Sequence, residues 1–251
     1  MKKFLWTVLI AGLLKAGWIM KFEEKGPKMP ADTSTYYISN GILANVSKDD
    51  VFIINFKTEK ITFISHEEKE YYEGTVDEFV SALSGMHSAM KKEMQEMMKD
   101  MPPEQRKMME KMMSGPEVKI EKTGKTAKVL GYNTVIYNIK VTTPGPMKST
   151  YRTEDYISPD LKFVPSEISK KDAEKISKKF EKLASQAGMF NIGKIEEGFS
   201  LKSVTYGPDG KKVSETRAIS IKKGDIPSSV LKIPAGYKKA GNFKELYMPQ
   251  K

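Results

Sequence analysis

Four short runs in which apolar and polar residues alternate, Ser34–Ser39, Ile42–Ser47, Val51–Lys57 and Lys60–Ser65, follow one another with only a tight turn between them. Asn40-Gly41, Lys48-Asp49-Asp50 and Thr58-Glu59 supply those turns, in residue types that accept left-handed backbone or close a turn through a side chain. A parallel crossover takes a dozen or more residues, so these runs can pair only as an antiparallel meander. Upstream, Trp18, Met20 and Phe22 alternate with Ile19, Lys21 and Glu23 and predict one more half-buried strand, ending at Gly26-Pro27.

The period then changes from two to 3.6. Thr75 and Glu78 form the S/T-x-x-E signature of a capping box, opening a helix that runs toward Asp100 before Pro102-Pro103 stops it. Phe79, Leu83, Met86, Met90, Met94, Met97, Met98 and Met101 recur along it at steps of three and four, opposite Lys91, Lys92, Glu96 and Lys99. A second short helix, about Glu104 to Met113, adds Met108, Met109, Met112 and Met113 and ends at Ser114-Gly115-Pro116. Ten of the 16 methionines therefore lie between Met86 and Met113, in a helical hairpin or kinked lid.

Strand patterning resumes at Val118–Lys122 and Ala127–Leu130, with a turn at Thr123-Gly124, and continues through Thr134–Thr142 and Ser149–Ile157. Ser169 and Asp172 begin a late helix that places Ala173, Ile176, Phe180, Leu183, Ala184 and Ala187 on one face. Phe199–Tyr206 and Lys211–Ile221 flank the hairpin signal Gly207-Pro208-Asp209-Gly210. The expected fold is α+β, a curved antiparallel sheet of roughly ten strands with three helices.

Lys2 and Lys3 precede the apolar run Phe4 to Leu14, the basic and hydrophobic regions of a secretory signal, and the run is too short to span a bilayer. Cleavage after Ala16 makes residues 1–16 the signal peptide and 17–251 a single domain with a helical insertion at 75–114, in the periplasm. Leu14 is larger than the small residue such a site prefers, which leaves an uncleaved anchor as the alternative. Loss of Lys2, Lys3 and Lys15 lowers the net charge from +10 to +7. A basic exported protein meets anionic membrane surfaces rather than nucleic acid, although its lysines are interspersed with acids, as in Lys170-Lys171-Asp172.

Two histidines, no cysteine and no nucleophile elbow, phosphate loop or H-E-x-x-H helix leave no standard catalytic constellation, and no cofactor or resident metal is expected. Glu154-Asp155 is a tight acidic pair in a predicted strand, and neighbours in a strand point to opposite faces. His66 is expected in an exposed turn, and His87 at the edge of the methionine stripe. The stripe itself has three readings. It packs on the sheet, or it forms a pliable face for a hydrophobic ligand, or Met86, His87, Met90 and Met94 gather soft donors for Cu(I).

Phe56-Lys57-Thr58-Glu59-Lys60-Ile61-Thr62-Phe63-Ile64, Tyr71-Tyr72-Glu73-Gly74-Thr75, Lys122-Thr123-Gly124-Lys125-Thr126 with Leu130-Gly131-Tyr132, and Ile233-Pro234-Ala235-Gly236-Tyr237 follow in an order that resembles the LolA/LolB-like lipoprotein carriers. The resemblance is closest to their secreted, methionine-rich relatives of unknown function. It implies an incomplete antiparallel barrel around helices, with an apolar space that shields acyl chains, and it carries over no catalytic residue. The methionine-rich hairpin is larger than such carriers lead one to expect. On this reading Trp18, Phe22, Phe79, Leu83, Met86, Met90, Met94 and Met97 line the site for a lipid or other hydrophobic small molecule. A different class of reading makes the basic stretch Lys170 to Lys182 a dock for an anionic membrane or a protein partner.

Overall fold

The computed structural model describes residues 17–27, 29–113, 116–144, 148–161, 167–187 and 198–247; the expected signal peptide, residues 1–16, lies outside them. Twelve strands form one open sheet in the order β12-β6-β5-β4-β3-β2-β1-β11-β10-β9-β8-β7, so the fold is α+β with a curved, unclosed sheet. Every neighbouring pair is antiparallel except β12–β6.

The first meander comprises β1 (Trp18–Gly26), β2 (Met29–Ser39), β3 (Ile42–Val46), β4 (Asp50–Asn55), β5 (Lys60–Ser65) and β6 (Glu70–Thr75). It begins at the middle of the sheet and walks outward. The second comprises β7 (Glu117–Val129), β8 (Tyr132–Thr143), β9 (Ser149–Ser158), β10 (Phe199–Tyr206) and β11 (Lys212–Lys223), and it walks inward from the opposite edge until β11 pairs with β1. The short strand β12 (Lys238–Lys239) then adds to β6.

Between the meanders lie α1 (Val76–Lys99) and α2 (Pro103–Met113). The capping box is formed as its sequence demands: Glu78 N–H donates to Thr75 Oγ1 at 3.1 Å, and Thr75 N–H donates to Glu78 Oε2 at 2.7 Å. From β6 to β7 is ten strand steps, about 48 Å measured along the sheet at 4.8 Å per step. A 24-residue helix covers about 36 Å of such a path. The later helices are α3 (Lys170–Ala187) and the five-residue α4 (Phe243–Tyr247).

One core lies between the sheet and the helices. Trp18, Met20 and Phe22 of β1, Ile38 of β2, Ile54 of β4 and Ile61 of β5 meet Val76 and Phe79 of α1, Ile176 and Phe180 of α3, and Phe243 and Leu246 of α4. On the opposite face Val230, Ile233 and Tyr237 cover Ala44, Val51, Ile53 and Ile64.

Four expectations need correction. β6 pairs with β5 over its whole length, and α4 enters the core; neither was expected, and the described residues hold 12 strands and four helices rather than ten and three. The two runs on either side of Thr123-Gly124 form one strand: the register against β8 shifts between Lys122 and Thr126, and Gly124 takes up φ 73° there, so the glycine relieves a bulge rather than turning the chain. The turn comes at Leu130-Gly131, both at positive φ. Finally, His66 is half-buried, with its Nδ1 2.9 Å from the Tyr237 hydroxyl, because the segment before β12 lies across that end of the sheet.

Candidate functional site

α1 carries its apolar stripe through two environments. Over its first two turns Val76 is 0% and Phe79 7% exposed, and Phe79 sits in a ring cluster with Phe243 at 4.5 Å, Phe52 at 5.8 Å and Phe180 at 6.1 Å between centroids. Val80 and Leu83 are half-buried against the same core. Beyond them Met86 and Met94 are half-buried, while Met90 and Met97 are each 54% exposed. His87 is exposed. Of the eight expected lining residues, then, Trp18, Phe22, Phe79 and Leu83 come together in one core, and the four methionines stand outside it.

Those first four are tightly engaged. Phe22 lies edge-on to Tyr36 at 5.4 Å and tilted against Phe199 at 6.0 Å; the Trp18 ring carries the Lys223 ammonium 3.7 Å above its centroid. Tyr36 completes the group, and its hydroxyl is pushed above the usual phenol range by burial, with the nearby Glu24 carboxylate adding to the effect. Such a hydroxyl stays protonated and offers no acid–base chemistry near neutrality.

The end of α1 is held by a side chain from α2. Arg106 donates from Nε to the Met98 carbonyl at 3.1 Å and from an Nη to the carbonyls of Lys99 at 2.9 Å and Met101 at 3.3 Å. Carbonyls in the last turn of a helix lack intrahelical partners, so the guanidinium supplies donors to Met98 and Lys99 there and to Met101 just beyond the helix end, and ties α2 back to α1. Met98, 6% exposed, is buried at this junction, while Met108 on α2 is 44% exposed. The hairpin is therefore fixed at its elbow, and it exposes Met90, Met97 and Met108 among its charged residues.

Cross-strand registers show which part of the sheet shares the helix-bearing face. Glu24, two residues from Phe22 on β1, stands opposite Thr216; Thr216 is opposite Ser203, Ser203 opposite Asp155, and Asp155 opposite Tyr137. Tyr137 thus faces the same way as Phe22, and with it Ile139, Val141, Tyr151, Ile120 and Val118, since alternate residues share a face. Val118 at 41%, Ile120 at 47% and Tyr151 at 39% are exposed there. Sequence patterning marked these strands without indicating that their apolar side stays open, because a strand's period gives the face and not its cover.

Glu154 and Asp155 separate as expected. Asp155 is buried and accepts a hydrogen bond from Ser200, whereas Glu154 bonds Arg152 at 2.6 Å and the Tyr206 hydroxyl at 3.4 Å on the other face. Among the described residues no three of histidine, aspartate or glutamate gather as a metal site, and no helix is long and apolar enough to cross a membrane. The basic helix α3 engages two of its lysines in ion pairs: Lys175, itself exposed, and Lys179 bind Glu59, and Lys179 also binds Asp77 at 2.7 Å.

No protein-family model matches this chain, and no curated protein sequence does. Solved structures similar to it include PNGF-II at 13% identity and a TM-score of 0.42, over 90% of this chain, which spans only 30% of that one. MucB in complex with MucA(peri) is similar at 11% identity and a TM-score of 0.38, over 94% of this chain and 61% of MucB. A LolA superfamily protein from Nitrosomonas europaea is similar at 6% identity and a TM-score of 0.24, over 87% of this chain and 90% of that one.

Proposed function

We propose that this chain is a non-catalytic binding protein of the periplasm, exported by residues 1–16, that takes a lipid or other acyl chain against its methionine-rich hairpin. The observation that carries the reading is the exposure of Met90 and Met97, 54% each, on the same stripe that buries Phe79. A helix whose apolar face served only to hold it on the sheet would bury that face along its length. Unbranched thioether side chains adapt to the shape of what they meet, which suits an acyl chain of variable length. Val118, Ile120 and Tyr151 share the helix-bearing face, so a chain lying across it finds apolar atoms on the sheet as well.

Burying apolar surface contributes about 25 cal/mol per Å², or about 0.8 kcal/mol for each methylene taken from water, so a long acyl chain needs no polar anchor to be held. Trp18, Phe22, Phe79 and Leu83 form the inner wall on which the site is built, and Met86, Met90, Met94 and Met97 make the contact. The two predicted signal features, Lys2-Lys3 and the run Phe4 to Leu14, support export, and the lack of cysteine suits a site that depends on shape and apolar area alone.

Native mass spectrometry tests this on the full chain, expressed with its signal in an exporting bacterium and purified without detergent. The wild type is expected to carry an extra mass of several hundred daltons that leaves as a lipid on collisional activation, and the variant Met90→Lys with Met94→Lys is expected to fly bare while keeping a cooperative thermal melt. A bare wild type, or equal loading of both, overturns the proposal.

A further inference from the structure

β7 closes one side of the sheet with 13 residues, and all of them but Thr123, Ala127 and Val129 are exposed. From Glu117 to Lys122 it is in unbroken register with β8; the bulge comes only after that. Alternate residues of such an edge turn their N–H and C=O groups away from the sheet, a template for another strand, and natural proteins guard long edges with prolines, bulges or charges. Here Pro116 and the bulge bound six straight residues, four of them charged, Glu117, Lys119, Glu121 and Lys122, so the edge admits only a strand whose charges are complementary to these. Lys119, moreover, lies directly opposite Lys140 of β8, a like-charge pairing that destabilises a ladder, and bonds only along its own strand to Glu117 at 3.2 Å among its described ion pairs.

We propose that this edge pairs with β7 of a second copy of the chain, antiparallel, about a two-fold axis through Ile120. An axis normal to the sheet keeps each face on its own side, so a residue can stand only opposite one an even number of positions away. Centred on Ile120, Lys119 of each copy faces Glu121 of the other, Ile120 meets Ile120, and Val118 lies under the aliphatic stem of Lys122. Shifting the centre to Lys119 sets that lysine against itself and Glu117 against Glu121. Shifting it to Glu121 sets two carboxylates together. A centre at Val118 also opposes Glu117 and Lys119, but brings Ile120 to Pro116, which has no N–H to give, and shortens the ladder. Complementary charge together with the length of ladder clear of Pro116 therefore selects the Ile120 register, and the same charges match a second copy of this edge. Joined this way, Val118, Ile120, Val141 and Tyr151 of both copies form one apolar strip on the helix-bearing face.

Sedimentation velocity of the full mature chain, from micromolar to near-millimolar concentration, tests the pairing. The expected result is a mass that doubles across the series, a monomer for Lys119→Glu, and restored doubling for Lys119→Glu with Glu121→Lys, which re-forms both charge pairs in the Ile120 register and in it alone. Both side chains are exposed, so each variant should keep a cooperative thermal melt at a concentration where the wild type is monomeric, which verifies folding. A monomeric wild type, a Lys119→Glu variant that still dimerises like the wild type, or a folded double variant that stays monomeric overturns the proposal. None of these results depends on acyl binding at the hairpin.

Discussion

Lys179 on α3 donates to Glu59, in the turn before β5, at 2.5 Å, across 120 residues of sequence. Lys175 donates to the same carboxylate, and Lys179 reaches on to Asp77 in the first turn of α1 at 2.7 Å. Glu59 holds its place with a positive φ of 53°, and its backbone carbonyl also receives the Val76 N–H at 2.8 Å. One turn residue thus fastens two helices to the sheet.

Acid should loosen that fastening. The hydrogen bonds from Lys175 and then Lys179 hold the Glu59 carboxyl below the usual carboxylate range. Its stabilising contribution is complete above the unfolded value, about 4.3, and is lost as pH falls through the depressed folded value. Lys179 is raised above its ordinary range, by Asp77 first and Glu59 second, so its contribution disappears only as pH rises through that alkaline value. Thermal melts of wild type and Glu59→Gln should accordingly differ at neutral pH and draw together as the solution is acidified below the unfolded carboxylate value; a gap that stays constant for as long as the fold survives in acid would sink this account.

The two environments of α1 predict opposite responses to mutation. Phe79→Ala empties the centre of a ring cluster and should cost about 3–5 kcal/mol, read as a lower denaturation midpoint in urea. Met90→Lys, at 54% exposure, should stay within about 0.5 kcal/mol of the wild type. Comparable losses in both would mean that the stripe is covered along its length.

Arg106→Ala removes the donors to three carbonyls at the end of α1. Faster amide exchange is expected for the last turn of α1 and for α2, with protection in β1 to β6 unchanged. The local cost is about 1–3 kcal/mol for bonds to a charged group, and unaltered exchange at the elbow would show that packing of Met98 alone suffices.

Gly198 lies before β10 with φ 131°, and a Cβ there would come 2.1 Å from the Ser158 carbonyl oxygen. Neither backbone can yield cheaply, since Ser158 is paired with Phe199 at the start of β10. Gly198→Ala should therefore destabilise by at least about 1–3 kcal/mol from the backbone conformation alone, whereas Gly210→Ala, with a positive φ of 75° but open space around it, should lose less. Equal losses would place the cost in φ and not in the close approach.

Much of this architecture is legible without coordinates, for identifiable reasons. Lys60–Ser65 and Phe199–Tyr206 have the limits that alternation and turns assign them, and the Thr75–Glu78 capping box marks the start of α1 to the residue. β6 is harder, because Tyr71 and Tyr72 put apolar side chains on both of its faces, Tyr72 toward one core and Tyr71 toward the other. α4 did carry a signal: Asn242 accepts from the Glu245 N–H at 3.1 Å, the short cap of a helix only five residues long. β12 has two residues and exists only because β6 is there to receive it. At the candidate site, helical period reveals that Met86 to Met97 share a face with Phe79. Whether anything covers that face depends on where the sheet ends, which is a property of the whole chain.

The seam between β1 and β11 joins Trp18 to Lys223, close to both ends of the described chain. Each meander is built of neighbours in sequence and can assemble quickly, but the seam must close a loop of nearly the entire polypeptide, the slowest kind of contact to form. Until β11 emerges, β1 exposes an unpaired edge bearing Met20 and Phe22, residues that are buried once the sheet is whole. A chain delivered N-terminus first would present that sticky edge throughout its synthesis or export, so the demand for a holding chaperone should fall on the first meander, and truncation anywhere before Lys212 should leave an aggregating half rather than a smaller working protein.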